Sequence, residues 1–224
     1  MSDERVGAER EWVESFARGL AVIRAFDAEH PALTLSEAAT RAGISRASAR
    51  RLLQTLETLG YVRAEGRAFV LTPRVLELGT AYLSASSLAE LVQPHLERLS
   101  RDLDESVSAA VLDGEDIVYI ARVATRRIIS VGITIGTRLP ADRTSMGHIL
   151  RGDEQEWALA DQELEPGLRA IAAPIHGRDG RIVAAINVST ATARVSLEEL
   201  TTRHLPALLA TAAAIDADLA AARH

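Results

Sequence analysis

Residues 35–58, LSEAATRAGISRASARRLLQTLET, decide how the first third of this chain folds. The segment from Leu35 to Ala42 has apolar residues at helical spacing and opens on Thr34 or Ser36, either of which can act as N-cap. Gly43 stands where a helix must stop and the backbone must take a positive φ. Ile44 supplies an apolar residue in the turn, and Ser45 caps a second helix. Ala39 lies four residues before Gly43, small enough for two helices to approach closely. Two helices joined by a tight turn with this chemistry form a helix-turn-helix, whose second helix enters the major groove of DNA.

At 100° per residue, Ala49, Leu52, Leu53, Leu56 and Leu59 gather on one side of the second helix as its core stripe. Ala47, Arg50, Arg51, Gln54 and Thr58 fall on the other, with Arg46 at the margin. Arginine and glutamine make bidentate contacts to guanine and adenine edges, and all of these polar groups can bond phosphate. The competing reading is a solvated basic face on an ordinary helical hairpin. Candidate DNA-contacting residues are Leu35, Ser36, Ser45, Arg46, Ala47, Ser48, Arg50, Arg51, Gln54 and Thr55.

The sequence after Gly60 weighs toward DNA. Tyr61–Ala64 and Ala68–Leu71 alternate as strands around a turn at Glu65-Gly66-Arg67, which makes a wing directly after the recognition helix. Arg67 at its tip can touch phosphate or the minor groove, or be a solvated turn charge. Ahead of the motif, Ser15 is expected to cap a helix reaching Asp27, with Phe16, Leu20, Ile23 and Phe26 on one face. His30-Pro31 breaks that helix.

Charge is distributed unevenly. The chain has 224 residues, a net charge of −6, 47% hydrophobic and 25% charged residues. That size allows two modest domains. Six arginines and two glutamates lie between Arg41 and Arg67, while the acidic excess lies elsewhere, notably in Asp153–Glu165. All basic side chains are arginine, a compositional bias. With no cysteine, disulfides, thiolate metal sites and cysteine nucleophiles are excluded. No apolar run is expected to span a membrane, and MSDERVGAEREW is too charged for a signal peptide, so a cytoplasmic location is expected.

Thr72-Pro73 starts a helix expected to reach about Ser84 as a linker. Ser86-Ser87 punctuate the chain. A helical pattern follows, Leu88 to Leu103, in which Pro94 marks either the start or a bend. From Ser106 the texture is α+β. Strands 107–112 and 117–123 flank Asp113-Gly114, a strand is expected over 128–135, and Thr144 or Ser145 caps a helix in TSMGHIL. Strands 168–176 and 181–189 flank GRDG, and Ser196 caps a long last helix. The expected domains are 14–73, a linker at 74–87 and 88–224.

Four stretches give the chain a resemblance over essentially its whole length to the IclR family of bacterial transcriptional regulators. They are RGLAVIRAFD (18–27), LTPRVLELG (71–79), IARVATRRIISVGITIGTRLP (120–140) and DQELEPGLRAIAAPI (161–175), together with the helix-turn-helix. Within the family the chain looks most like regulators of protocatechuate and β-ketoadipate catabolism. The resemblance implies an α+β chain: a winged helix-turn-helix, a linker helix, and a GAF-like effector-binding domain with an antiparallel sheet and flanking helices. It also implies homodimers or tetramers on double-stranded operator DNA and a small organic acid as effector, aromatic or dicarboxylic.

Carried over residue by residue, the effector site would use Thr144, Ser145, Met146 and Gly147 as a helix start offering N–H groups to a carboxylate. Asp161, Glu163, Arg169, Asn187 and Ser189 would add polar side chains, and Ile133, Ile135, Leu139 and Ile171 would wall it. One departure stands out. After TSMGHIL the family continues through more helix, a linker and another helix, whereas here RGDEQ (151–155) follows at once. Unlisted residues between 150 and 151 are therefore expected, since losing that segment would expose core.

The alternatives are an enzyme turning over a small acid with His148, His176, Asp161, Glu163 or Glu165, and a protein–protein adaptor built on a winged helix. No HExxH, GxSxG or P-loop is present, and GITIG (132–136) is not a dinucleotide fingerprint. No cofactor, metal or catalytic residue is expected.

Overall fold

A computed structural model describes residues 12–79, 87–125, 132–152 and 156–222. The chain divides into two compact units, Met1–Tyr82 and Leu83–His224.

In the first unit α1 (Glu14–Arg24), β1 (Ala32–Thr34), α2 (Leu35–Arg41) and α3 (Arg46–Thr58) precede a hairpin of β2 (Val62–Glu65) and β3 (Ala68–Leu71). Thr34 caps α2 in a full capping box. Its side chain accepts from the Glu37 amide while the Glu37 carboxylate accepts from the Thr34 amide, so two orphan donors are satisfied at once. Hydrogen bonding to Thr34 also holds the Glu37 carboxyl below the usual carboxylate range. Gly43 turns the chain with φ +65, and Ser45 caps α3 by accepting from the Ser48 amide. Val22, Phe26, Leu33, Ala38, Leu53, Leu56 and Val62 form the core.

Three expectations fail in this unit. Helix α1 begins after Val13 rather than Ser15, has no side-chain cap, and stops at Arg24. Its buried residue is Val22, while Phe16 is 68% and Leu20 42% exposed. The apolar spacing was real, but Phe16 and Leu20 face outward while Ile23 and Phe26 pack into the core. Leu59, read as core, is the half-exposed C-cap of α3. The short strand β1 had gone unread; it pairs antiparallel with β3 and makes the wing three-stranded, in the order β1-β3-β2.

The linker expected to be α-helical starts as a 3-10 turn, Pro73–Val75, capped by Thr72. Residues 80–86 of that expected helix lie outside those described. Arg74 ties this start to the winged unit. Its Nη1 donates to the Leu59 carbonyl at the end of α3, and its guanidinium lies 5.5 Å from the Tyr61 ring centre.

The second unit holds α4 (Ser87–Leu103), β4 (Ser106–Asp113), β5 (Asp116–Val123), β6 (Arg138–Pro140), α5 (Ser145–Leu150), β7 (Ala158–Asp161), β8 (Leu168–His176), β9 (Ile182–Ala191) and α6 (Leu197–Ala221). Helix α4 contains Pro94 within its span rather than starting at it. The sheet is six-stranded and antiparallel, in the order β6-β5-β4-β9-β8-β7. Helices α4 and α6 cover one face through Val92, Leu96, Leu99, Leu208 and Ile215, packed on Ile171, Ile186 and Val188. Met146 and Ile149 of α5 pack on the other, against Ala110, Ile117, Ala172 and Ala185. Each fully buried Leu or Ile stabilises such a layer by roughly 1.5–3 kcal/mol over exposure.

Residues 132–137 form coil and a turn rather than the end of a strand, and 128–131 of that expected strand lie outside those described. After α5 the Arg151 amide donates to the Gly147 carbonyl and that of Gly152 to Ile149, closing the end of the helix. The segment expected between 150 and 151 would follow directly on this helix end, and residues 153–155 lie outside those described. Core is not laid bare there, because Met146 and Ile149 remain fully buried. Helix α6 is, by length and composition, apolar enough to cross a membrane, against expectation. Its Leu200, Leu208 and Ile215 are fully buried in this fold. The helix passes through a π-helical stretch, Leu200–His204, just before Pro206, which has no N–H to give the ladder.

A buried polar cluster sits where α4 meets β4. Glu105 is fully buried, pairs with Arg194, accepts from the Thr190 hydroxyl at 3.1 Å, and leaves Oε2 without a partner. Burial outweighs Arg194 and pushes the Glu105 carboxyl above the glutamate range. A carboxyl whose folded value is raised contributes stability that is complete below its unfolded value and lost as pH rises through the folded one. Arg194 is 35% exposed in its side chain and can turn to water. Glu105→Gln is therefore expected to melt higher than wild type at neutral pH, with the difference closing toward pH 4. A lower melting temperature at pH 7 would mean that the ion pair outweighs burial.

Candidate functional site

The outward face of α3 carries Ser45, Arg46, Ala47, Arg50, Arg51, Gln54 and Thr55, all exposed. Ser48 is half-buried and bonded to Ser45. Arg46, Arg50, Arg51 and Arg67 make no ion pair among the described residues. Their neighbours Arg41 and Arg63 do, with Asp27 and Glu65. Four unengaged guanidinium groups on one helix face and a wing tip are a surface suited to a polyanion. Gly66, φ +63, makes the tight turn that carries Arg67. Ser36 is exposed, and Leu35, also expected to contact DNA, is half-buried and packs partly against the core.

In the second unit a cleft of about 520 Å³, part of it open to solvent, lies on the α5 side of the sheet. Its lining includes Tyr119, Arg122, Ile133, Arg143, Thr144, Ser145, Glu163, Leu164, Asn187 and Ser189. Across the floor, Arg122, Ser108 and Asn187 sit side by side on β5, β4 and β9. Arg122 Nη1 donates to Ser108 Oγ at 3.2 Å, and Asn187 Nδ2 to Ser189 Oγ at 3.0 Å. Three buried polar atoms of this cleft have no partner: Arg122 Nε, Ser145 Oγ and Asn187 Oδ1. Buried orphan groups are costly and rare. Burial lowers the Arg122 pKa from its ordinary value and raises the Tyr119 phenol to about 12.

Of the residues expected to form the effector site, Thr144, Ser145, Glu163, Asn187 and Ser189 line this cleft. Met146, Gly147, Asp161 and Arg169 do not. Met146 is core. The Gly147 amide is taken by the Thr144 hydroxyl at 3.1 Å, and a Cβ at Gly147 would lie 2.0 Å from the Ala141 carbonyl oxygen. That glycine serves backbone packing. Asp161 and Arg169 hold each other in a two-pronged pair of 2.9 Å contacts, which keeps the Asp161 carboxyl below its usual range. Among the expected walls, Ile133 lines the cleft, Ile135 is 52% exposed and Ile171 belongs to the opposite face.

Arg122 and Tyr119 had been read as plain strand. A bulge explains why. Ala109 pairs with Ala121 and Ala110 with Tyr119, so Ile120 is left over. Ile120 and Ala121 both pack on the helix-covered face, while Tyr119 and Arg122, three residues apart, both reach the cleft. Simple alternation would put them on opposite sides.

A winged helix-turn-helix joined to an α+β unit with a polar, orphan-lined cleft defines a DNA-binding transcriptional regulator with a ligand domain. The profile of the IclR helix-turn-helix domain matches residues 15–66, and that of the bacterial transcriptional regulator IclR C-terminal domain matches 80–156 and 151–217. The chain belongs to the IclR family, a family of regulators rather than enzymes. It is 44% identical over 238 residues to the Pca regulon regulatory protein of Pseudomonas putida, covering 89% of this chain and 82% of that one. It is 32% identical over 253 residues to the p-hydroxybenzoate hydroxylase transcriptional activator of Acinetobacter baylyi, covering 94% and 93%. A crystal structure of a transcriptional regulator from Rhodococcus sp. RHA1 superposes with TM-score 0.81 at 48% identity, covering 94% of this chain and 99% of that one. The first alignment exceeds the 224 residues of this chain, so the relative carries residues that this chain lacks. The C-terminal match divides at 151–156, where RGDEQ follows α5.

Proposed function

We propose that this chain regulates a catabolic operon for aromatic acids: it binds operator DNA through α3 and the wing, and an aromatic acid in the cleft changes that binding. The observation that carries the acid reading is Arg122, a half-buried guanidinium whose buried Nε has no hydrogen-bond partner and which makes no ion pair among the described residues. Such a cation is at its best opposite an anion. Ser145 Oγ, unpartnered in the same cleft, adds a donor. Asn187 Oδ1, an acceptor at the floor, suits a hydroxyl on the same ligand. The names of the Pseudomonas and Acinetobacter relatives, a Pca regulon regulator and the activator of p-hydroxybenzoate hydroxylase, favour a hydroxylated aromatic acid over an aliphatic one.

The working form is a homodimer, or a tetramer built from dimers, acting in the cytoplasm where its operator is. Trp12, Phe16 and Leu20 support this: spaced four residues apart, they form an exposed apolar ridge that a second copy would cover. Calorimetry with protocatechuate and 4-hydroxybenzoate tests the reading. Saturable binding without turnover supports it, and absence of heat with both acids overturns the acid cleft.

A further inference from the structure

The cleft is roofed on one side by the β7–β8 turn, residues 162–167. Both ends of that turn are in the left-handed region, Gln162 at φ +61 and Gly167 at φ +83. The turn closes on itself, with the Gln162 amide donating to the Leu168 carbonyl at 2.8 Å and the Gly167 amide to the Gln162 side chain at 3.1 Å. It is therefore a compact, self-bonded flap. Leu164, half-buried, is the side chain that it lays over the cleft.

Arg143 ties its backbone down. Arg143 donates Nε and Nη2 to the Glu163 carbonyl at 2.9 and 2.6 Å, and Nη2 also to the Leu164 carbonyl at 3.2 Å. His148 Nε2 lies 3.3 Å from the Glu163 carboxylate. Arg143 stands on a firm base: it ends the 3-10 turn Ala141–Arg143, whose Ala141 is fully buried, bonded to the Glu115 carbonyl and packed on Gly147. Arg143 itself is exposed, so its bonds to the flap open without uncovering core.

We infer that Arg143 is the latch of this flap, a positioning residue that sets how fast an acid enters and leaves the cleft. This rests on the acid cleft of the proposed function. Arg143 borders the cleft, but its hydrogen bonds among the described residues go to the flap, and a latch of that kind stabilises the closed state with or without ligand, so its removal speeds entry and exit together. A residue that touches the acid instead slows exit alone.

Stopped-flow binding of 4-hydroxybenzoate to the full chain separates the two. For Arg143→Ala, association and dissociation rates are each expected to rise about tenfold, the effect of losing a few exposed charge-assisted hydrogen bonds. The equilibrium constant should stay within about threefold. Arg143→Lys, which can reach one carbonyl, should fall between. Amide hydrogen exchange over 162–168 should quicken in the ligand-free Ala variant. A raised dissociation rate with unchanged association, or unchanged exchange in a variant whose wild type binds the acid, would overturn the latch alone. A wild type that bound neither 4-hydroxybenzoate nor protocatechuate would remove the acid cleft, and the gating with it.

Discussion

Replacing Arg50 and Arg51 together with alanine is expected to weaken operator binding by about a hundredfold or more, with little change in binding to unrelated DNA beyond the lost charge. Each bidentate base contact is worth about 1–3 kcal/mol of discrimination, and both side chains are exposed with no ion pair among the described residues to restrain them. The fold should not suffer. Helix α3 is held by Ser45 at its start and by Ala49, Leu53 and Leu56 on its other face. Fluorescence anisotropy on operator and scrambled DNA across a salt series reads both parts. Loss of one phosphate contact per arginine would lower the salt slope by about two. Full operator affinity in the double variant would show that this face does not read DNA.

The second large effect falls on Arg122. Substitution by glutamine is expected to cost acid binding about a hundredfold, because truncating one partner of a buried charged pair costs about 2–5 kcal/mol. The ligand-free protein should respond in the opposite direction. Without an anion, a half-buried guanidinium whose Nε is buried and unpartnered is a burden on stability. Arg122→Gln should therefore melt no lower than wild type, and its melting temperature should not move when 4-hydroxybenzoate is added. A variant that still gains stability from the acid, as wild type is expected to, would place the carboxylate elsewhere in the cleft.

The winged unit was largely legible because its signals are local. Thr34, Gly43, Ser45 and Gly66 each perform a backbone task that few residues can, and the 3.6-residue period of α3 separates core from surface. The outward turn of Phe16 and Leu20 was not legible, since spacing reveals an apolar ridge but not what covers it. Strand β1 is three residues long, too short to show alternation. The cleft was legible only in part. Thr144 and Ser145 are marked by the capping pattern of α5, and Asn187 and Ser189 entered through the family resemblance. Arg122 and Tyr119 depend on the bulge at Ile120, which arises only when β5 pairs with β4. Arg143 depends on a contact twenty residues away in sequence, with Glu163. Such long-range consequences leave no period in the chain. Asp161 and Arg169 are the converse case, an attractive polar pair that satisfies itself and leaves nothing for a ligand.

Coupling between the two sites is the central claim, and operator binding titrated with acid tests it most directly. Coupling requires the acid to favour one DNA-binding state over the other. The operator affinity of the wild type, measured by footprinting in rising 4-hydroxybenzoate or protocatechuate, should shift saturably by about five- to 150-fold, and Arg122→Gln should hold the acid-free affinity throughout. An operator affinity unchanged at acid concentrations that calorimetry shows to be saturating would contradict the account.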